Sequence, residues 1–406
     1  MKISARKRRL IRVLDAVLRP IVAGWERLWR SPSGVDSQIS KILVMEYWNL
    51  GDIVMLSPFL RSLRIQYPDA HITLLTSPKC ASLVERQELA DEIIHARMPW
   101  AQHYSRWRKY NPFSLLWLEV LRTLKTLRAQ RFDLAFTARA DIRENATLWI
   151  VQVARRVGYG FGGGGFFLTD VVTPDLQHPH FSNRWLRLLE HLGKRALVRH
   201  PRLHVTPEEE QFATQTLEDR GIQQGEFLIG IHPGARSLVR QWGEENFSAL
   251  SKRMEAQFPV KIVWFQDPKQ GSSIPESNQP QPLSLPLREF MAVLGKCQLF
   301  ICNDSGPMHI ATALGVPVVA VFGPTEPTWF GPIGEENHIV IQAGFMCRPC
   351  FDYCIFDQPY CLRGISVDAV FETSAQAVNS LLHKASQGAI GNESTLHAAE
   401  GKKNNG

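Results

Sequence analysis

The stretch Leu299–Gly323, LFICNDSGPMHIATALGVPVVAVFG, decides how the fold is read. Leu299 to Cys302 and Val318 to Phe322 are unbroken apolar runs, the pattern of strands buried on both faces. Between them Pro307 opens a helix and Gly315 closes it, following the preference for Pro just inside a helix and Gly just past its end. A buried strand, a helix and another buried strand in succession need a crossover, so the sheet is parallel.

The same alternation runs outward from this unit. Upstream lie a strand at Phe227–His232, a helix near Glu245–Gln257, a strand at Lys261–Phe265 and a helix at Leu287–Gly295; a helix at Val367–His383 follows. Nearer the N-terminus come a strand at Lys41–Glu46, the turn Tyr47–Gly51, a helix at Asp52–Gln66, strands at His71–Thr76, Glu92–Ala96 and Phe132–Thr137, and a helix at about Phe113–Gln130. The expected architecture is α/β, two Rossmann-like domains facing a central cleft. Its parts are a basic arm at 1–36, a first Rossmann-like domain at 37–205, a linker at 206–225, a second Rossmann-like domain at 226–385 and a disordered tail at 386–406. The aromatic and basic insertion Met98–Tyr110 reads either as a lip of the acceptor site or as a solvated loop.

Composition agrees with two sizeable cores: of 406 residues, 44% are hydrophobic and 21% charged. The net charge of +7 comes from the arm, where residues 1–34 hold nine Lys or Arg against Asp15 and Glu26. The remainder balances, which argues against a nucleic-acid-binding body. Within the arm Leu10, Leu14, Val17, Ile21 and Trp25 recur at helical spacing, but charges and Pro20 break the run far short of the roughly 20 apolar residues of a membrane span. A helix lying on an anionic membrane surface is expected, the alternative being a helix packed on its own domain. Cys347-x2-Cys350-x3-Cys354-x6-Cys361 could form a thiolate metal site, but is read as reduced thiols in a loop. No metal and no cofactor are expected.

In open parallel sheets ligands sit beyond the carboxyl ends of strands, so the strand-to-helix turns carry the function. The first, Asn49-Leu50-Gly51-Asp52, places a carboxylate at a helix start, where the dipole favours its ionised form; a functional carboxylate and a plain helix cap are both open readings. The second, His232-Pro233-Gly234-Ala235-Arg236 with Arg240-Gln241-Trp242, joins a permissive Gly to two guanidiniums suited to phosphate. The third, Asn303-Asp304-Ser305-Gly306-Pro307, offers free amides at a helix N-terminus, a ready diphosphate site. Gly160-x-Gly162-x-x-Gly165 matches a dinucleotide fingerprint but is read as following a helix and preceding a strand, the wrong context. A P-loop signature and an Asp-x-Asp pair are both missing from the sequence, so diphosphate chemistry would rest on arginine and helix dipoles.

Lys41–Glu85, Ile229–Met254 and Leu287–Gly334 together resemble the lipopolysaccharide heptosyltransferase family, glycosyltransferase family 9; the N-D-S-G-P-M-H-x-A-x-A-L-G run carries the likeness most specifically. The resemblance implies a GT-B fold, an ADP-heptose donor on the C-terminal domain, a lipid-linked saccharide acceptor on the N-terminal domain, and inversion without a metal. It matches Asp52 to the family's proposed base, with Gly51 beside it. Arg240 falls where a phosphate-binding Lys is usual, and Asp304, Ser305 and Gly306 match the donor-binding D-[TS]-G. His232, Gly234, His309, Gly323 and Thr325 complete the expected substrate site. Two departures stand out: Tyr47-Trp48-Asn49 replaces a Ser/Thr pair, and Trp264-Phe265-Gln266-Asp267-Pro268 replaces a G-G-P-x-[ED] loop. The expected function is transfer of heptose to a lipopolysaccharide inner-core acceptor at the cytoplasmic face of the inner membrane. The alternatives are another sugar nucleotide, or a non-catalytic sugar-nucleotide or lipid-binding homologue.

Overall fold

The computed structural model describes residues 13, 15–25, 39–101, 111, 114–268 and 281–400, the side chains of 385–400 excepted. Most of the 98–110 insertion, Leu10 and Leu14 of the arm, and the last six residues of the tail lie outside them. The chain divides into two units between Leu203 and His204.

The first unit is built on a parallel sheet in the order β3-β2-β1-β4-β5-β6. Its strands are β1 (Lys41–Met45), β2 (His71–Thr76), β3 (Glu92–His95), β4 (Leu134–Thr137), β5 (Arg155–Gly158) and β6 (Asp170–Val171). Helices α1 (Leu50–Gln66), α2 (Leu115–Gln130), α3 (Ile142–Ile150) and α4 (Phe181–His191) accompany it. β1 is central, with Leu43 paired to Thr73 of β2 on one side and Ala135 of β4 on the other. This pairing puts the ends of β1 and β4 side by side. α1 is buried from Gly51 through Leu60 because it is covered twice: Phe59 meets Phe136 of β4 at 5.1 Å and Trp185 of α4 at 5.1 Å.

The second unit holds a parallel sheet in the order β11-β10-β9-β7-β8. Its strands are β7 (Phe227–His232), β8 (Val260–Trp264), β9 (Leu299–Asn303), β10 (Val318–Phe322) and β11 (Ile339–Gln342). Its longer helices are α5 (Pro207–Glu218), α6 (Glu244–Gln257), α7 (Leu287–Leu294), α8 (Gly306–Ala313) and α9 (Val367–Glu400). β9 and β10 are buried at every position, as their apolar runs require.

Three readings are corrected. The stretch 206–225, read as a linker, is led by α5, which starts with a Thr206–Glu209 capping box. It packs on α7, where Arg288 forks onto Glu209 at 2.8 and 2.5 Å. The polar surface of this helix hid its buried stripe of Ala213 and Leu217. The glycine motif at 160–165 follows strand β5, not a helix, yet it runs into a helical turn at Gly165–Phe167 and then β6. Its glycines answer packing: a Cβ on Gly162 would lie 1.6 Å from the Ala140 carbonyl oxygen. Finally, α9 continues through 386–400, read as part of a disordered tail; the helix is anchored upstream by Val370 and Val378.

The arm forms a helix over 15–25. Val22 is buried and Asp15 Oδ1 accepts a hydrogen bond from the Gly164 amide at 3.1 Å, while Val13, Val17, Ile21 and Trp25 stay about half exposed. One face of the arm thus packs on its own unit, and the apolar stripe faces out. Among the described residues no helix is long and apolar enough to cross a membrane.

Candidate active site

At the end of β1 the chain turns through Tyr47-Trp48-Asn49 and enters α1, which places Asp52 at the third helical position. Asp52 Oδ2 accepts from the Asn49 amide and from Asn49 Nδ2, each at 3.0 Å. Lys79 Nζ in turn donates to Asn49 Oδ1 at 3.1 Å, so the turn is tied from both sides. The cap reading therefore accounts for one carboxylate oxygen. The other, Oδ1, lies 2.5 Å from Arg139 Nη2.

Arg139 comes from just beyond β4 and arrives here because β4 neighbours β1. Its guanidinium lies over the rings of Phe181 and Trp48, 4.4 and 5.0 Å from their centres, and reaches Glu46 at 3.4 and 3.5 Å. Trp48 Nε1 donates to Glu144 Oε1 at 2.8 Å, and Thr137 donates to Glu144 Oε2 at 2.5 Å. Burial pushes Glu46 up to about 8, with Arg139 opposing and the Asp52 and Glu144 charges adding to the rise. Burial likewise pushes Glu144 up to about 7, against its hydrogen bonds from Thr137 and Trp48. Glu46 and Glu144 are each only 1% exposed, whereas Asp52 is 7% exposed. Of the three carboxylates, Asp52 alone keeps an edge that a substrate hydroxyl could reach.

In the second unit, Asn303 at the end of β9 organises the loop after β7. Its Oδ1 accepts from the Trp242 amide at 3.0 Å and its Nδ2 donates to the Pro233 carbonyl at 2.5 Å. These bonds carry Arg240 to Asp304, with Nη1 3.1 Å from Oδ2, and the Thr325 hydroxyl donates to the same oxygen. Burial raises the Asp304 carboxyl above its ordinary range; Arg240 and Thr325 oppose the rise.

Ser305 occupies the N-cap position of α8 and Gly306 its first turn. Neither Asp304 nor Ser305 spends its side chain on capping, and the Ser305 hydroxyl has no protein partner. Arg240 Nε is 3.0 Å from Asp352 Oδ1, close enough for an ion pair but not aligned as a hydrogen bond, so this buried N–H also lacks an aligned acceptor. Arg236 Nη2 binds the other Asp352 oxygen at 2.5 Å. Asp352 belongs to the cysteine-bearing segment, where Cys347, Cys350, Cys354 and Cys361 are free thiols. Burial, then the neighbouring thiols, push Cys350 up to about 11. Among the described residues no three His, Cys, Asp or Glu side chains are arranged to hold a metal ion.

The structure brings Arg240, Asp304 and Thr325 into direct contact, with Ser305 and Gly306 alongside and His232 and Gly234 on the loop that Asn303 fastens. His232 is buried and its pKa falls to about 4, so the ring is neutral; Nδ1 sits 3.2 Å from the Gly234 carbonyl. His309 is buried within α8. Gly323 is explained by packing, since a Cβ there would come within 2.6 Å of Leu362 Cγ. Gly51 and Asp52 belong to the other unit. Sequence reasoning missed Glu46, Arg139 and Glu144, and also Asn303 and Asp352 as partners of the named residues. A buried acid ending a core strand was the available signal for Glu46.

The profile of glycosyltransferase family 9 (heptosyltransferase) matches residues 120–360, more than half the chain. Lipooligosaccharide heptosyltransferase 2 of Campylobacter jejuni is 24% identical over 343 residues, covering 82% of this chain and 95% of that protein. E. coli ADP-heptose lps heptosyltransferase II superposes with a TM-score of 0.65 at 20% identity, over 86% of this chain and all of that one. An E. coli heptosyltransferase solved with ADP-2-deoxy-2-fluoro heptose gives a TM-score of 0.60 at 16% identity, covering 83% of this chain and 99% of that one. The likeness to these structures gives the fold, GT-B.

Proposed function

Since this chain belongs to glycosyltransferase family 9, the heptosyltransferases, we propose that it moves a heptose from an ADP-linked donor to a lipid-linked saccharide of the lipopolysaccharide inner core, by inversion and without a metal. The observation that carries the donor side is the pairing of an uncapped helix N-terminus at Ser305 and Gly306 with an Arg240 N–H that has no aligned acceptor. Free amides, a helix dipole and a guanidinium together suit a diphosphate.

In the proposed reaction an acceptor hydroxyl attacks the anomeric carbon from the face opposite the diphosphate. Its O–H bond breaks, the proton passes to ionised Asp52, and the new C–O bond forms as the bond to the diphosphate oxygen breaks. The electron pair leaves with the diphosphate, whose growing charge Arg240 and the Ser305 and Gly306 amides stabilise. The exposed Val17, Ile21 and Trp25 stripe, with the basic residues of the arm, supports a peripheral position on the inner face of the cytoplasmic membrane.

The test is a donor screen read by mass spectrometry, offering ADP-heptose beside UDP- and GDP-sugars with an inner-core acceptor. Heptose transfer from the ADP donor alone is expected. Transfer only from a UDP- or GDP-sugar would replace the donor, and binding without transfer from any donor would favour a non-catalytic role.

A further inference from the structure

Asp52 is an acid at a helix start, and a carboxylate there could swing through several rotamers, each aiming its free lone pair differently. Its surroundings leave it one. Oδ2 is taken by two donors of Asn49, and Oδ1 lies 2.5 Å from Arg139 Nη2. Arg139 is itself fixed: Phe181 and Trp48 present ring faces to the guanidinium, and Glu46 stands behind it at 3.4 and 3.5 Å. The indole of Trp48 is pinned in turn by Glu144, which Thr137 holds from β4.

We propose that Arg139 is the positioning residue of the transfer reaction, clamping Asp52 Oδ1 so that the one lone pair left on that oxygen faces the acceptor hydroxyl. The inference rests on Asp52 being the base. A positioned base contributes because near-attack geometry replaces an orientational search that the reaction would otherwise make in each turnover. Glu46 and Glu144 act one step further out. Burial favours the protonated form of Glu46, so Arg139 meets Asp52 as its principal ionic partner and not as one of several equal ones. The other charged groups near the pair are Arg184 of α4, which repels Arg139, and Lys79, which acts on Asp52 through Asn49. Arg139 also keeps one fifth of its side chain exposed, so a direct hold on the acceptor is the competing role and the experiment must separate the two.

The experiment is a cycle of Arg139→Gln and Asp52→Asn, singly and together, with Arg139→Lys as the conservative variant, all assayed for kcat and KM with donor and acceptor varied separately. Arg139→Gln is expected to lower kcat by about 10- to 100-fold with either KM changed less than about threefold, the signature of lost transition-state geometry. Arg139→Lys should recover part of kcat, since an ammonium can pair with Oδ1 without the planar fork. In the Asp52→Asn background, removal of Arg139 should cost less than about twofold, because a clamp with nothing to clamp has no effect. Melting temperatures accompany each variant, and Glu46→Gln/Arg139→Gln stands in should the single variant fail to fold, because it leaves no carboxyl buried behind the lost guanidinium. A full Arg139 cost in the Asp52→Asn background, or a rise confined to acceptor KM, would overturn the positioning role in favour of acceptor contact. Undiminished Asp52→Asn activity would instead remove the base assignment itself, a distinguishable failure.

Discussion

Asp352 Oδ1 stands 3.0 Å from Arg240 Nε, and its other oxygen holds Arg236, so one carboxylate faces both guanidiniums that follow β7. An anionic ligand of those arginines must compete with it. Asp352→Asn is therefore expected to tighten binding of the free nucleoside diphosphate by up to about tenfold, or about 1.4 kcal/mol. Calorimetric titration with ADP reads this directly. Weakened binding would mean that Asp352 orders the arginines for the ligand and does not compete with it.

Arg240→Ala should shift the same titration the opposite way. Loss of a charge-assisted hydrogen bond costs about 1.5 to 3 kcal/mol. It would also take the nearest cation from buried Asp304, leaving the Thr325 hydroxyl and the attraction of Arg236, so a modest fall in melting temperature should accompany the loss. Unchanged affinity for ADP would move the phosphate site away from Arg240.

Asp52→Asn keeps the size of the side chain and an oxygen to accept from Asn49, while removing the base. Transfer should fall by about 10² to 10⁴ with donor affinity nearly intact. Turnover close to the unmodified enzyme would eliminate Asp52 as base and turn attention to what approaches the Arg139 edge.

The Glu46 carboxyl gives a stability prediction with a defined sign. Its folded pKa of about 8 lies above the ordinary value of 4.5, so between these pH values the folded state binds more protons than the unfolded chain. Stability from this group is present below about 4.5 and is lost as pH rises toward 8. Glu46→Gln cannot ionise, so its melting temperature relative to the unmodified protein should climb across that window. A difference that stays flat from pH 5 to 8 would show that Glu46 ionises normally in the folded state.

The strand-to-helix turns were legible because each is local: a buried apolar run, a Gly or Asp, then the start of a helix. Asp304, Ser305 and Gly306 needed nothing more. Arg139 was not legible, because its role follows from β4 pairing beside β1, and sheet order is a long-range property. β5 escaped for a different reason: its sequence RRVG looks like surface, yet Arg156 is buried with its guanidinium donating to the Phe167 and Val153 carbonyls at 2.6 and 2.8 Å. A buried, fully bonded arginine defeats a hydropathy pattern. The 206–225 stretch was misread on the same principle, with Glu209 hidden beneath the fork of Arg288.

The arm can now be tested more finely than by deletion, because its two faces have different partners. Removing the whole arm would also remove the bond from Gly164 to Asp15 and the burial of Val22, and so would perturb the first unit. Val17→Ser and Ile21→Ser together alter only positions more than half exposed. If the stripe docks on lipid, each basic residue near the surface adds about 1 kcal/mol of attraction and the apolar side chains add burial. Surface charge is screened over about 8 Å at physiological ionic strength, so high salt should weaken the attachment. The intact chain is then expected to co-sediment with phosphatidylserine-containing vesicles at low salt and to be partly released at high salt. The double variant should bind them markedly less while keeping its melting temperature and its transfer to a short water-soluble acceptor. Equal vesicle binding by the double variant, or indifference of the intact chain at low salt, would leave the stripe without a membrane role.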